Sequence, residues 1–530
     1  MSAPSTASAA PTAAPTLGEL TEEQRSQRFA ELQHRLPEIW GAQRTGREGE
    51  SIVVVPSRIV DKPGEPAAES QAYEERLLFL LLLLRQPRLR IIYVTSLPID
   101  PSIIDYYLGL LAGVIPAHAR ARLVLVAAHD GSPRPLSAKL IERPRLLERI
   151  RSLIPHPALS HLVPYSTTPL ERDLALLLGI PMYGADPRFL PCGTKTGCRR
   201  LFAEEAIAHP FGREGLDSLD DVLDGLLALR ETRPTATEAI VKLNEAASGR
   251  GNAVVDLSEL PPPGSADERA ELEGRVRRMS FEFAQFDFDT YMARLADLGG
   301  IVEERIKGAE LRSPSVQVRV TPLRQVEILS THDQLLGGPS GQSYLGCQFP
   351  ADPAYAAAIT ADARTIAERL ARDGVLGRFA VDFVVVRDEQ GHWCQYAIEL
   401  NLRKGGTTHP YLTLEFLTEG AYDAEAATFT SPRGAAKFLV ASDHVESPVF
   451  RGLAHEDLFD VIVRMGLHFD HACQKGVVFH MMSALSELGR IGLTAVGDTP
   501  EEAMGMYGDA EAALLDAGRS ALVPPSLPGG

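Results

Sequence analysis

The sequence predicts an α/β protein built from several folding units, the first of them a doubly wound parallel sheet. Three observations carry this reading. Short β-branched runs alternate with helical segments as far as about residue 188. A chain of 530 residues is too long for one core, so three or four units are expected. The apolar and charged fractions, 45% and 23%, are those of an ordinary globular protein.

The opening residues, "MSAPSTASAAPTAAPT", have no basic n-region and no apolar core, which excludes a secretory signal. Residues 1–48 are expected to be a flexible tail. "SIVVVPS", from Ser51 to Ser57, reads as a strand of a sheet covered on both faces, and "RIIYVTS" and "RLVLVAA" repeat the pattern. The run "LLFLLLLL", Leu77 to Leu84, is far shorter than the roughly 20 residues of a spanning helix. It is expected to be a buried helix face, and no membrane partner is expected. This unit, 49–188, has no G-x-G-x-x-G, so it carries no dinucleotide fingerprint.

From Thr237, "EAIVKLNEAASGRGNAVVDL" reads as a hairpin with a long tip, and "GGIVEERIKGAELRSPSVQVRV" as a strand, a turn and a second strand. With the polar stretch between them they are expected to frame a lid, about 237–306. "RFAVDFVVVRD" and "CQYAIELNLR" form another strand pair, joined by the turn residues of "DEQGH". From about Ser431 the pattern is mixed. There "GVVFHMM" reads as a core helix, and "DTPEEAMGMYGDAEAALL" as a helix started by an Asp cap.

A net charge of −17 and a pI near 5.4 argue against nucleic acid as a partner, while leaving room for a nucleotide pocket. Five scattered cysteines have neither zinc-site pairing nor disulfide density, which points to a reducing cytoplasm.

The chemistry concentrates in "YAIELNLRKGGTTHP". In an extended strand Glu399, Asn401 and Arg403 share one face while Leu400 and Leu402 point into the core. A carboxylate and an amide oxygen suit a hard divalent cation, and a guanidinium neutralises phosphate. A solvated strand ending in a turn is the competing reading. Lys242 closes a strand before the glycine loop "ASGRGN", whose backbone N–H groups could approach phosphates, although a strand-edge lysine and a loop tip account for the same residues.

The order of motifs along the chain decides between them. A lysine in "GTKTG", a lysine before a glycine loop, "VEERIKGAE", Asp382 in "AVDF" and then "ELNLR" resemble the ATP-grasp superfamily over roughly Pro191 to Tyr411. The resemblance implies two α+β lobes holding ATP, preceded by a pre-ATP-grasp domain (49–188) and followed by a small C-terminal domain (431–530), with the grasp domain over 189–430. It further implies that Lys195 and Lys242 touch the phosphates, with Ser248, Gly249 and Gly251 closing over them. Glu303, with the Glu304 and Ile306 backbone, would hold adenine, and Glu310 the ribose. Asp382, Glu399 and Asn401 would ligate Mg2+, or Mn2+ in its place.

The stretches "GTKTGCRRLFAEEAIAHPFG", "ELNLRKGGTTHPYLTLEFLTEG" and "KGVVFHMMSALSELGRIGLTAVGDTPEEA" are similar to the peptide ligases of pheganomycin type from natural-product pathways. Cys198 and the Arg199–Arg200 pair depart from the small or single basic residues expected after the first lysine loop. The function implied is ATP-dependent carboxylate–amine ligation, with a small-molecule or peptide carboxylate donor and an amine acceptor. Arg403 and Lys242 would be the catalytic residues. Homodimer formation stays open. Arg319, His332 and Lys404 are substrate-binding candidates, each with a structural alternative. His468, His471, Cys473 and His480 have loose ligand-like spacing that does not make a zinc site. A nucleotide-binding regulatory protein and a biotin-carboxylase-like enzyme are the rival readings.

Overall fold

A computed structural model describes residues 16–45, 50–58, 66–245, 249–283, 285–337, 341 and 343–522. Three main sheets organise it, together with a two-stranded hairpin. The first is parallel: β1 (Ser51–Val55), β2 (Arg90–Thr95), β3 (Leu123–Ala127) and β4 (Ser160–Pro164), in the order β3-β2-β1-β4. Its faces are both covered, which is why its strands are built around apolar runs such as Ile52–Val55 and Ile91–Val94. Ile52 and Val54 pack with the leucine run, whereas Val53 and Val55 pack with Leu136, Leu174 and Phe29. The leucine run itself is a 3-10 helix, Glu75–Arg85, also packed against Leu414 and the C-terminal Phe479. No described helix is long and apolar enough to cross a membrane.

The tail expectation needs correction for residues 16–45. They form helices over Glu22–Gln33 and Leu36–Thr45, pinned by the fully buried Phe29, by an Arg25–Asp173 ion pair of 2.8 Å and by a two-way Gln33–Met182 hydrogen bond. These partners lie about 150 residues away, beyond the reach of local composition. Residues 1–15 lie outside the described residues.

The second sheet contains β5 (Gly212–Leu216), β6 (Glu238–Leu243), β7 (Asn252–Asp256), β8 (Ser280–Phe281) and β9 (Gly300–Glu304), in the order β5-β9-β6-β7-β8. The expected hairpin is the antiparallel β6–β7 pair. The third sheet has nine strands. They are β10 (Leu311–Arg312), β11 (Pro314–Val320), β12 (Val326–Gly337), β13 (Ser343–Phe349), β14 (Gly377–Arg387) and β15 (Trp393–Asn401), joined by three strands from further along. After the small hairpin β16 (Ala421–Asp423) and β17 (Thr428–Thr430), the chain adds β18 (Phe438–Glu446), β19 (Gly476–His480) and β20 (Arg490–Gly497). The segment after 431 therefore continues the sheet that begins near residue 311.

Three local readings differ from the structure. β9 and β11 do not pair; they belong to different sheets, and residues 305–310 run between the two. "GVVFHMM" is strand β19 at its start, because the apolar residues face a core on both sides and a short buried run has no helical period to reveal. The last helix, Pro500–Ala521, is capped by Thr499, whose hydroxyl accepts from the Glu502 N–H.

The first sheet meets the third where β15 ends. Thr167 Oγ1 donates to the Leu402 carbonyl at 3.1 Å, and the buried Lys404 Nζ donates to the Pro164 carbonyl. Burial, and then the nearby Arg378, push the Lys404 amine down to about 7. An unfolded lysine titrates near 10.4. Between those values the unfolded chain holds a proton that the folded chain lacks, so this group's contribution to stability rises with pH across that window. Lys404→Met removes the contribution. Urea unfolding at pH 7 and 9 should show the wild type gaining on the variant by about 1.4 kcal/mol per pH unit; a pH-independent difference would contradict the assignment.

Candidate active site

β14 and β15 run antiparallel with Asp382 opposite Glu399 and Ala380 opposite Asn401. Leu400 and Leu402 are buried, which leaves Glu399 and Asn401 on the other face. Asn401 Nδ2 donates to Asp382 Oδ2 at 2.9 Å, and Gln334 Nε2 of β12 donates to Asp382 Oδ1 at 3.1 Å. The two donors fix the carboxylate plane.

Two acids this close repel one another. Burial, reinforced by Glu399, pushes the Asp382 carboxyl up to about 6. Burial would raise Glu399 as well, but Lys195 Nζ at 2.6 Å from Oε1 holds it below its ordinary value. Lys195 opens the helix Lys195–Glu204, capped by Thr194, and the same ion pair outweighs burial to keep its amine above the usual lysine value. One acid is thus readily protonated and its neighbour ionised. This oxygen-rich set fits a hard divalent cation.

A second buried group lies on the second sheet. Glu303 of β9, 2% exposed, has Lys242 Nζ of β6 at 2.5 Å from Oε1 and Arg199 Nη1 at 3.2 Å from Oε2. Arg199 also reaches Glu214 at 3.3 Å. The departure noted in the first lysine loop therefore has a structural use. Arg199 balances Glu303, and the fully buried Cys198 packs against β15 with its Sγ 3.1 Å from the Leu400 nitrogen, which donates to it.

Glu304 accepts from the Phe211 N–H at 2.8 Å and returns its own N–H to the Phe211 carbonyl at 2.8 Å. Ile306 follows in the connector between the two sheets. Glu310 ends that connector, paired with Arg312 at 2.7 Å and Arg387 at 3.1 Å. At the β6–β7 tip, Gly249 has φ +73°, a conformation that favours glycine. The Gly251 carbonyl accepts from Leu243 N–H at 3.1 Å and from the Tyr291 hydroxyl at 2.9 Å. Ser248 lies outside the described residues.

Arg403 Nη1 donates to the Lys404 carbonyl at 3.1 Å. The other candidates have structural partners. Arg319 pairs with Glu327 and lies over the Trp40 ring at 5.5 Å. His332 is fully buried on β12, 2.9 Å from Ser330 Oγ, and burial pushes its imidazole down to about 3. Its neighbour Asp333 accepts from the Tyr355 hydroxyl at 2.6 Å, so the two do not form a local turn pair. Sequence reasoning missed Arg199 and Gln334. Arg199 was legible only as an unexpected charge, and Gln334 gave no signal.

Comparison with known proteins agrees with this architecture. Residues 275–425 match the family described as IQCH-like, ATP-grasp, and residues 457–508 match the PGM1 C-terminal domain. The chain is 31% identical over 451 residues to the L-propargylglycine–L-glutamate ligase of Streptantibioticus cattleyicolor, covering 83% of this chain and 89% of that protein. It is 24% identical over 447 residues to IQ motif-containing protein H of Danio rerio, covering 75% of this chain and 42% of that longer protein. Biotin carboxylase from Campylobacter jejuni, solved with a β-γ-ATP ligand, superposes with a TM-score of 0.51 at 12% identity over 90% of this chain and 96% of that one. The biotin carboxylase domain of the Hydrogenobacter thermophilus 2-oxoglutarate carboxylase gives the same score and identity over 88% and 90%. At such identity these structures speak to the fold alone.

The Lys242–Glu303–Arg199 group yields a stability test. Glu303→Ala leaves two buried cations without their shared carboxylate and should cost about 3–5 kcal/mol in urea unfolding. Lys242→Met leaves Arg199 paired and should cost distinctly less. Equal midpoints for Glu303→Ala and wild type would mean that the group does not hold this lobe together.

Proposed function

The chain belongs to the ATP-grasp ligases, the family of the L-propargylglycine–L-glutamate ligase, and from that premise we propose that it joins the carboxylate of one amino acid or short peptide to the amine of another. The observation that carries the reading is the facing pair Asp382 and Glu399 on β14 and β15, with Asn401 beside them and Lys195 paired to Glu399. A protein that only sensed a nucleotide would have no need of two acids poised in this way. The biotin-carboxylase alternative rests on fold likeness alone.

Asp382, Glu399 and Asn401 would hold Mg2+, which supplies charge neutralisation on the phosphate oxygens when bound. Lys195 and Lys242 reach the phosphates from the two sides of the cleft, each exchanging its carboxylate partner for phosphate oxygens. The end of β9 at Glu304 and the connector bearing Ile306 and Glu310 are the hinge for adenine and ribose. The glycine tip at 249–251 closes over the phosphates and excludes water.

In the first step a donor carboxylate oxygen attacks the γ-phosphorus, the bond to the β-phosphate oxygen breaks, and ADP leaves. In the second, the amine attacks the acyl carbon, phosphate departs with the bonding pair, and the amine loses a proton. No protein nucleophile is required; catalysis is positioning and charge neutralisation. Arg403 follows Asn401 by two residues and supplies positive charge for the γ-phosphate and the oxyanion. The natural setting we infer is amino-acid-based natural-product assembly in the cytoplasm, a compartment that the five free cysteines suit.

With ATP, magnesium, a donor amino acid and hydroxylamine in place of the amine, a hydroxamate should form with one ADP each. Glu399→Gln should abolish ADP release. Arg403→Ala should lower turnover on the order of 100-fold or more while ATP binding changes little. AMP as the nucleotide product would overturn the mechanism.

A further inference from the structure

Outside the cleft, His409, Asp443 and His480 come together from three distant parts of the chain, all buried. His409 is the second residue of the helix Thr408–Thr418, Asp443 lies within β18, and His480 is the last residue of β19. Their ligand atoms all lie within 4.8 Å of one another. His409 Nε2 stands 3.0 Å and His480 Nε2 2.9 Å from the same oxygen, Asp443 Oδ1. The imidazole rings meet edge to face, with centroids 4.4 Å apart.

We propose that these three side chains form a binding site for a divalent transition-metal ion of the zinc class, separate from the magnesium site of the cleft. Three features carry it. The first is spacing. Ligands bound at about 2.1 Å in a tetrahedral shell lie about 3.4 Å apart, so three ligand atoms within 4.8 Å of one another can share one ion with small side-chain adjustments.

The second is an orphaned donor. His409 is 3% exposed, yet among the described residues neither of its ring nitrogens has an aligned hydrogen-bond partner, despite the nearby oxygen. A buried polar atom left in this state calls for a partner, and an ion bound by both Nε2 and Oδ1 would supply one. His480 differs, since its Nε2 is aligned for a hydrogen bond to the same oxygen.

The third is that the surroundings are shaped to the cluster. Arg76 Nη2 holds Asp443 Oδ2 at 2.7 Å, which orients the carboxylate and turns Oδ1 toward the imidazoles, as outer partners of metal ligands do. Gly492, opposite His480 across the β19–β20 ladder, makes room for the ring: a Cβ there would lie 2.1 Å from His480 Cδ2. Two imidazoles and one carboxylate select zinc, cobalt or iron over magnesium or calcium, which prefer oxygen-rich shells. The ion would tie the helix that follows the Arg403 loop to β18 and β19, and through Arg76 to the first unit.

The test uses the full-length protein without nucleotide, dialysed against metal-free buffer. Elemental analysis should find about one transition-metal ion per chain in wild type and in Glu399→Gln, but less than about a tenth in Asp443→Asn and His480→Gln. Stripped protein given one equivalent of Co2+ should develop the visible d–d bands of an imidazole-ligated site, and Zn2+ should abolish them. This reading on the wild type stands even if a variant fails to fold. A wild type that carries no such metal as purified and gives no Co2+ spectrum would overturn the site, leaving a buried hydrogen-bond cluster. Undiminished metal in folded His480→Gln would overturn it equally.

Discussion

Two carboxylates buried face to face repel one another, and the need to balance them organises the centre of this protein. Asp382 and Glu399 are forced together by the register of β14 and β15. Low local dielectric makes their repulsion strong, so one acid is pushed toward its protonated form and the other is held ionised by Lys195. That lysine comes from the segment joining the first unit to the grasp lobes. The same ion pair that stabilises the acids therefore anchors the helix beginning at Lys195 against β15. The acids are costly to bury and useful for the same reason: they attract cations.

The opposite wall follows the same rule with the signs reversed. There Lys242 and Arg199 converge on one carboxylate, Glu303. Each group thus pairs a buried lysine with a carboxylate, Lys195 with Glu399 and Lys242 with Glu303. The two groups belong to separate sheets, and the helix Lys195–Glu204 ties them together, Lys195 pairing with Glu399 of β15 and Arg199 with Glu303 of β9.

Much of the plan was legible along the chain because it rests on local periodicity. The apolar strands of the first sheet, the β6–β7 hairpin with its glycine tip and the alternation in β15 are all period-2 patterns with turn residues between them. The juxtaposition of Asp382, Glu399 and Asn401 was legible as oxygen donors on neighbouring strands, whereas Arg403, expected on the same strand face, lies beyond the end of β15, where its N–H turns back to the Asn401 carbonyl at 2.7 Å. What escaped was long-range. Residues 22–45 read as tail because their helices are held by Asp173 and Met182, far along the chain. β19 read as helix because a short run buried on all sides has no period of its own. The connector after β9 read as a hairpin because nothing local records that the next strand joins another sheet.

By itself, the sequence determined the α/β class and the order of the motifs, and it named the candidate side chains for phosphate and metal, because these follow from residue chemistry and short-range spacing. Only the tertiary structure decided the partners of those side chains. Glu303 is shared by Lys242 and Arg199, Lys404 serves the Pro164 carbonyl, and His480 joins His409 and Asp443 rather than its sequence neighbours His468, His471 and Cys473. The physical reason is that a buried charge or imidazole must find its counterpart in space. Burial excludes water as the partner, and chain folding brings together residues whose separation in sequence carries no trace of the contact.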